Sequence, residues 1–364
     1  MTCIKAYSAE SSKSMRIVNI MLAEVRGGVE TMALRYHQAL RRSGFDVLSL
    51  GHSKGVFAEA VAADEMAAQD FVPVDALINH DPGAALKLRA VNARFRPDIV
   101  LAHGNRPTGI ALLPLVGTAR KTVQIVHNFR HKPQARGLRA AIAVSASVHD
   151  TLRAAHPGLA VFDVLNFAPL DVRPVKPAPP GPPVIGTLGR LHENKGIDVM
   201  LRAFARLRDQ GVTARLRIAG DGPERARLQA LAGELGLKDV VEFPGWVTAA
   251  DYLATLDLFV LPSRVEPFGL VVAESMAAGV PVVASRIDGP REILGGGELG
   301  RLVAPEDDAA LAEAIGLAIG DWDGTLRRAA AAQAYARDHF SLDAGARRLK
   351  TVLEQIAPII AKGP

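Results

Sequence analysis

Nine apolar runs of four to six residues, each followed by a longer amphipathic stretch, recur along this chain. They are Ile17–Leu22, Val47–Leu50, Ile99–Ala102, Val123–Val126, Val184–Leu188, Arg215–Ala219, Val240–Phe243, Leu258–Leu261 and Val280–Ala284. Runs this short suit strands buried on both faces, and the stretches between them suit helices that cross from one parallel strand to the next. Midway, Arg173–Pro183 carries six prolines in eleven residues. Proline can neither continue a helix nor enter a sheet interior, so this segment reads as a stiff linker. The pattern predicts an α/β chain of two doubly wound, Rossmann-like domains at 15–172 and 184–340. Residues 1–14, with Ser8, Ser11, Ser12 and Ser14, read as a loose, disordered tail, and 341–364 as a terminal helix with Leu349, Val352, Leu353 and Ile356 at helical spacing.

Composition narrows the class. With 364 residues, 49% of them hydrophobic, the chain can fill two cores, which excludes a disordered protein. No apolar run reaches the ~18 residues of a membrane span, and residues 1–14 lack the apolar stretch of a signal peptide. A single cysteine, Cys3, offers neither a disulfide nor a cysteine metal cluster. A reducing compartment, the cytoplasm, is the expectation.

Net charge is +5, and it is unevenly spread: residues 1–172 hold 20 Lys/Arg against 14 Asp/Glu, the remainder 23 against 24. Between Lys87 and Arg139 there are 11 basic residues and one acid, Asp98. Such a segment suits an anionic neighbour, either a membrane surface or a phosphorylated acceptor, although a solvated basic face explains it too. Nucleic acid is disfavoured because few aromatic side chains are present to stack on bases.

Ligands of doubly wound sheets bind beyond the carboxyl ends of the strands, so the loops after the apolar runs are where chemistry is expected. Gly27-Gly28-Val29-Glu30 precedes a helix-like stretch, and paired glycines there allow backbone N–H groups to approach an anion or simply satisfy a turn. Gly189-Arg190-Leu191-His192-Glu193-Asn194-Lys195-Gly196 places two cations at a strand exit, where together they can hold a diphosphate. Gly220-Asp221-Gly222-Pro223 is explained by turn chemistry, with Pro223 opening a helix. The most specific segment is Glu266-Pro267-Phe268-Gly269-Leu270, continuing to Glu274. Glu266 falls in the loop, Glu274 about one and a half turns into the helix, and the free N–H groups of Phe268, Gly269 and Leu270 form an anion-receptive helix start. The alternative is a capping charge and a solvated helix residue. Asp321-Trp322-Asp323 has the spacing of a metal-binding pair, but its setting between a helix and Gly324 reads as a surface turn.

Taken together, Gly189-Arg190, Lys195-Gly196, Gly220-Asp221-Gly222-Pro223, the Glu266/Glu274 pair and Gly279-Val280-Pro281-Val282-Val283-Ala284 with Gly289 and Glu292 resemble retaining, sugar-nucleotide-dependent glycosyltransferases of the GT-B fold, family 4, the glycosyl transferases group 1. The first half is similar through Gly27-Gly28-Val29-Glu30 and His127. The resemblance implies two Rossmann-like domains facing a central cleft, with the last helix returning to the first domain. It implies that Arg190 and Lys195 bind the donor diphosphate, Glu266 the transferred sugar and Glu274 the ribose. His127 is expected to face the donor sugar and Gly28 to lie near phosphate or acceptor; His103 and Asn128 are weaker candidates. The sequence departs from the commonest pattern at Asp288-Gly289-Pro290-Arg291-Glu292, where Pro290 removes a backbone N–H.

The activity implied is metal-independent transfer of a hexosyl unit from a UDP- or GDP-linked sugar to a glycan or lipid-linked acceptor. Its setting is bacterial lipopolysaccharide or exopolysaccharide synthesis, in the cytoplasm or peripheral on the inner face of the membrane, with no other cofactor. A sugar-nucleotide epimerase, or a related enzyme with no external acceptor, is the alternative. Glu266 and Glu274 as a glycosidase pair fit a phosphate-binding environment less well.

Overall fold

The computed structural model of the chain describes residues 14–24, 27–76, 78–128 and 137–361. The expected tail up to residue 13, and Arg130, Lys132 and Arg136 of the basic segment, lie outside the described residues. The chain divides into two compact units, breaking after Phe167 and again after Ser341.

The first unit holds seven strands: β1 (Arg16–Met21), β2 (Asp46–Gly51), β3 (Phe71–Pro73), β4 (Ile99–His103), β5 (Thr122–Val126), β6 (Ala140–Ala143) and β7 (Ala160–Asp163). They form one parallel sheet in the order β3-β2-β1-β4-β5-β6-β7. The second unit holds β8 (Val184–Leu188), β9 (Arg215–Ala219), β10 (Val241–Gly245), β11 (Leu258–Leu261), β12 (Val282–Ser285) and β13 (Arg301–Val303). These are likewise parallel, in the order β10-β9-β8-β11-β12-β13. All nine apolar runs fall on or overlap strands. In both sheets the order reverses once, between β1 and β4 and between β8 and β11, and at such a point the two loops diverge and leave a crevice for a ligand.

Apolar burial holds each unit. The Gly28–Arg42 helix buries Met32, Ala33, Leu34, Tyr36, Ala39 and Leu40. The Leu342–Ala361 helix packs on it within the first unit. Arg42 pairs with Asp343, Ser43 Oγ donates to the Ala346 carbonyl at 3.0 Å, and Gly345 admits the Phe167 ring where any Cβ would sit 2.2 Å from it. In the second unit the Ile197–Asp209 helix packs Val199, Leu201, Phe204 and Leu207 against Leu216, Ile218, Leu258 and Val260.

The Pro-rich segment lies along the second unit rather than spanning open space, and the break precedes it. Proline leaves this stretch few N–H groups, so the remaining donors do the anchoring. Arg173 N–H donates to the Ala277 carbonyl at 3.3 Å and Lys176 Nζ to that of Leu256 at 3.2 Å. Among the described residues no helix is long and apolar enough to cross a membrane.

Candidate active site

The reversal point of the second sheet gathers the loop after β8 and the loop after β11. Leaving β8, the chain passes Gly189 and Arg190 and makes a short 3-10 turn over Glu193–Lys195. It then enters the Ile197–Asp209 helix through Gly196 at φ +60°. A Cβ at Gly196 would stand 2.1 Å from the Pro262 carbonyl oxygen, so glycine lets the two loops touch. Across that contact Lys195 Nζ donates to Glu266 Oε2 in a short charge-assisted bond, with the two side chains 28% and 15% exposed. Arg190 is exposed on the same loop.

Two residues that sequence reasoning passed over brace this contact. Arg264 donates to both carboxylate oxygens of Asp198 at 2.9 Å, to Glu306 at 2.8 Å and to the Glu193 carbonyl. Asp198 sits in the first turn of the Ile197–Asp209 helix, so the fork ties the Glu266 loop to the helix that follows Lys195, and the bond to the Glu193 carbonyl ties it to the turn that carries Lys195. Burial alone raises the Asp198 pKa, but the hydrogen bonds and charges of Arg264 and Arg202 outweigh it and bring it down to about 2.

Downstream, Gly269 takes a left-handed conformation at φ +93° and caps the Leu270–Ala277 helix without a side-chain hydrogen bond. Glu274 is half-buried in that helix. The Phe268 side chain is 3% exposed and meets Phe340 edge-on at 5.7 Å between centroids, so any ligand contact at this position belongs to its backbone. Gly289 N–H donates to the Glu266 carbonyl at 3.2 Å, and a Cβ at Gly289 would fall 2.2 Å from the Phe268 carbonyl oxygen. Glycine at 289 is thus a packing requirement. Pro290 lies in the first turn of the Asp288–Ile293 helix, where a missing N–H costs nothing.

The remaining second-unit motifs resolve into structure. Gly220, at φ +117°, and Gly222 let their turn lie against the Gly189 and Leu191 carbonyls, and the helix after them opens at Arg225, beyond Pro223. Asp321 accepts from Gly324 N–H at 2.9 Å as the N-cap of the Trp322–Phe340 helix. An open cavity of about 620 Å³ beside β13, lined by Arg286, Arg301 and Arg328 among others, contains none of the candidate residues.

In the first unit, Gly28 begins the Gly28–Arg42 helix, and a Cβ there would meet nothing within 4 Å. His127 follows β5, with Nε2 3.0 Å from His103 Nδ1. His103 Nε2 in turn lies 2.8 Å from Asn19 Oδ1. Burial lowers the His127 pKa to about 3, and burial with the neighbouring His127 lowers that of His103 well below its usual value, so both are neutral. Asn128 is exposed. The basic segment is partly structural: Lys121 Nζ donates to the Pro97 carbonyl at 2.9 Å and Arg106 to that of Ala76 at 3.3 Å.

The family described as glycosyl transferases group 1 matches residues 171–337, and that described as glycosyltransferase family 4 matches 26–157. Glycogen synthase of Mycobacterium tuberculosis is 33% identical over 280 residues, which is 69% of this chain and 67% of that protein. This chain belongs to glycosyltransferase family 4, the glycosyl transferases group 1. Other members of the family align over shorter stretches. The lipopolysaccharide core biosynthesis glycosyltransferase LpsE of Rhizobium meliloti is 40% identical over 139 residues, covering 38% of this chain and 40% of LpsE. The match thus spans well under half of that relative. Both units follow the GT-B fold. A glycosyltransferase from Rickettsia africae superposes with a TM-score of 0.81 at 18% identity, covering 97% of this chain and all of that one. Anabaena HepE in complex with UDP-glucose gives 0.79 at 21%, covering 94% and 100%.

Proposed function

We propose that this protein is a retaining glycosyltransferase that moves a hexosyl unit from a nucleoside-diphosphate sugar to a glycan or lipid-linked acceptor. The transfer needs no metal ion and serves lipopolysaccharide or exopolysaccharide synthesis. The observation that carries the proposal is the Lys195–Glu266 contact at the reversal point of the second sheet, with Arg190 on the same loop and an uncapped helix start at Gly269. As the bond to the nucleotide lengthens, negative charge grows on the leaving phosphate and positive charge on the sugar ring. Arg190, Lys195 and the N–H groups of Gly269 and Leu270 stabilise the first, while Glu266 holds hydroxyls of the transferred sugar and Glu274 those of the ribose. His127 is assigned to the transferred sugar, and Gly28 to phosphate or acceptor. Relatives named for lipopolysaccharide core and colanic acid biosynthesis support the envelope setting. The fold likeness to proteins solved with UDP and UDP-glucose supports a nucleotide-sugar donor. The basic segment of the first unit supports an anionic acceptor or an anionic membrane surface.

A nucleotide that binds only the folded protein raises its melting temperature. UDP or GDP at millimolar concentration is expected to do so, and no shift with UDP, GDP or ADP defeats the proposal. Transfer should persist in EDTA, and the product anomer read by NMR should keep the configuration of the donor. Turnover without any acceptor points instead to an epimerase.

A further inference from the structure

The polar side chains leading inward from His127 form a chain whose hydrogen positions follow from donor and acceptor chemistry. Asn19 Nδ2 donates to the Ala33 carbonyl at 3.0 Å and to Ser49 Oγ at 3.3 Å. A backbone carbonyl only accepts, so the first contact fixes which end of the Asn19 amide is nitrogen. Its Oδ1 is then the acceptor facing His103 Nε2, and His103 must carry its hydrogen on Nε2. A neutral imidazole has one N–H, which leaves His103 Nδ1 as a lone pair toward His127 Nε2, 3.0 Å away. For the two rings to bond, His127 Nε2 must donate. Its Nδ1 is then a lone pair pointing away from the chain.

The surroundings hold this order in place. Tyr36 stands nearly perpendicular to His103 at 4.9 Å, and the two imidazole planes lie at 22° with their centroids 5.2 Å apart, side by side as a bond between ring nitrogens requires. At the inner end, Ser49 Oγ lies 3.0 Å from His37 Nδ1 and completes the chain. Asn19 and Ser49 are fully buried, with buried apolar residues on either side of them in the chain, Val18 and Ile20 in β1 and Leu48 and Leu50 in β2. Apolar residues there would avoid the cost of desolvating five polar groups, so the network calls for a reason beyond stability.

We propose that Asn19 and His103 are positioning residues that lock His127 in its Nε2–H tautomer, so that the Nδ1 lone pair accepts a hydrogen bond from a hydroxyl of the transferred sugar. The sugar contact rests on the glycosyltransferase reading; the tautomer does not. A donor lacking that hydroxyl leaves the lone pair unpaired and is expected to be used on the order of tenfold less well.

Long-range 1H–15N correlation on the full chain labelled with 15N-histidine, assigned with His127→Gln, reports the tautomer directly. In the wild type, His127 should show a lone-pair Nδ1 and a protonated Nε2. Asn19→Leu should give a mixture of tautomers, because His103 can then carry its hydrogen on either nitrogen. His103→Gln should retain the order, since Gln Oε1 accepts from His127 Nε2–H and its amide N–H donates to Asn19 Oδ1. In steady-state transfer, His103→Gln should keep kcat/KM within a few-fold, while His103→Leu loses on the order of tenfold. An Nδ1–H tautomer in the wild type overturns the proposal even where no variant folds, and so does an unchanged His127 spectrum in Asn19→Leu. If the wild type transfers no sugar from any nucleotide, the functional reading and the sugar contact fall while the tautomer assignment stands.

Discussion

At the scale of single residues, Lys195 and Glu266 hold each other in place before any donor arrives, so the two variants should differ in kind. Glu266→Gln keeps the shape and an acceptor for Lys195; unfolding free energy should change by less than about 1 kcal/mol while kcat/KM falls on the order of 10²-fold. Lys195→Met strands a carboxylate that is only 15% exposed, and should cost about 1–3 kcal/mol of stability as well as activity. Equal stabilities by urea titration count against the pairing. Buried His37 and half-buried His127 set a pH dependence on the first unit. His37 and His127 have pKa values lowered by burial from 6.5 to about 4 and about 3. The unfolded chain therefore takes up these protons first as pH falls below 6.5. Stability is complete above that value and declines toward the lowered pKa values, by roughly 1.4 kcal/mol per pH unit per histidine. Denaturant midpoints that stay level between pH 7 and pH 5 refute this.

At the scale of elements, glycines separate packing from binding. Gly196→Ala forces φ +60° on a residue with a Cβ and drives that atom into the Pro262 carbonyl, so the two site loops must part. A loss of about 2–4 kcal/mol is expected, with weaker UDP binding by calorimetry. Gly28→Ala is the contrasting case. Its Cβ meets open space at the first position of a helix, where alanine stabilises by about 0.4–1 kcal/mol. If Gly28 serves phosphate or acceptor, activity must nevertheless drop in a protein that melts higher; full activity removes Gly28 from the site.

At the scale of the whole molecule, the last helix is an integral part of the unit that opens the chain. Leu349, Leu353 and Ile356 are fully buried there. Each such side chain contributes about 1.5–3 kcal/mol by burial. Ending the chain at Ser341 should therefore unfold the first unit. Proteolysis should then cut within residues 14–167 and spare 184–341. Protection of both stretches would refute this role for the helix.

The nine apolar runs, with the Pro-rich segment that divides them, determined two parallel sheets, because strands buried on both faces must be apolar and short and their crossovers must be long. They also determined the position of Arg190, Lys195 and Glu266 at strand exits. Strands β3, β6, β7 and β13 were not legible: three or four residues such as Ala140-Ala141-Ile142-Ala143 have no period that separates strand from helix. The brace of Arg264 on Asp198 was equally hidden, since a charged residue near a loop reads as solvated until its partner across the fold is known. Asn19 and Ser49 did leave a trace, as polar interruptions of apolar runs. What they bond to was decided only when β1, β2, β4 and β5 came side by side. Local chain chemistry dictates which segments can be strands, whereas pairing, hydrogen-bond direction and the tautomer of a buried imidazole depend on residues that only the sheet order brings together.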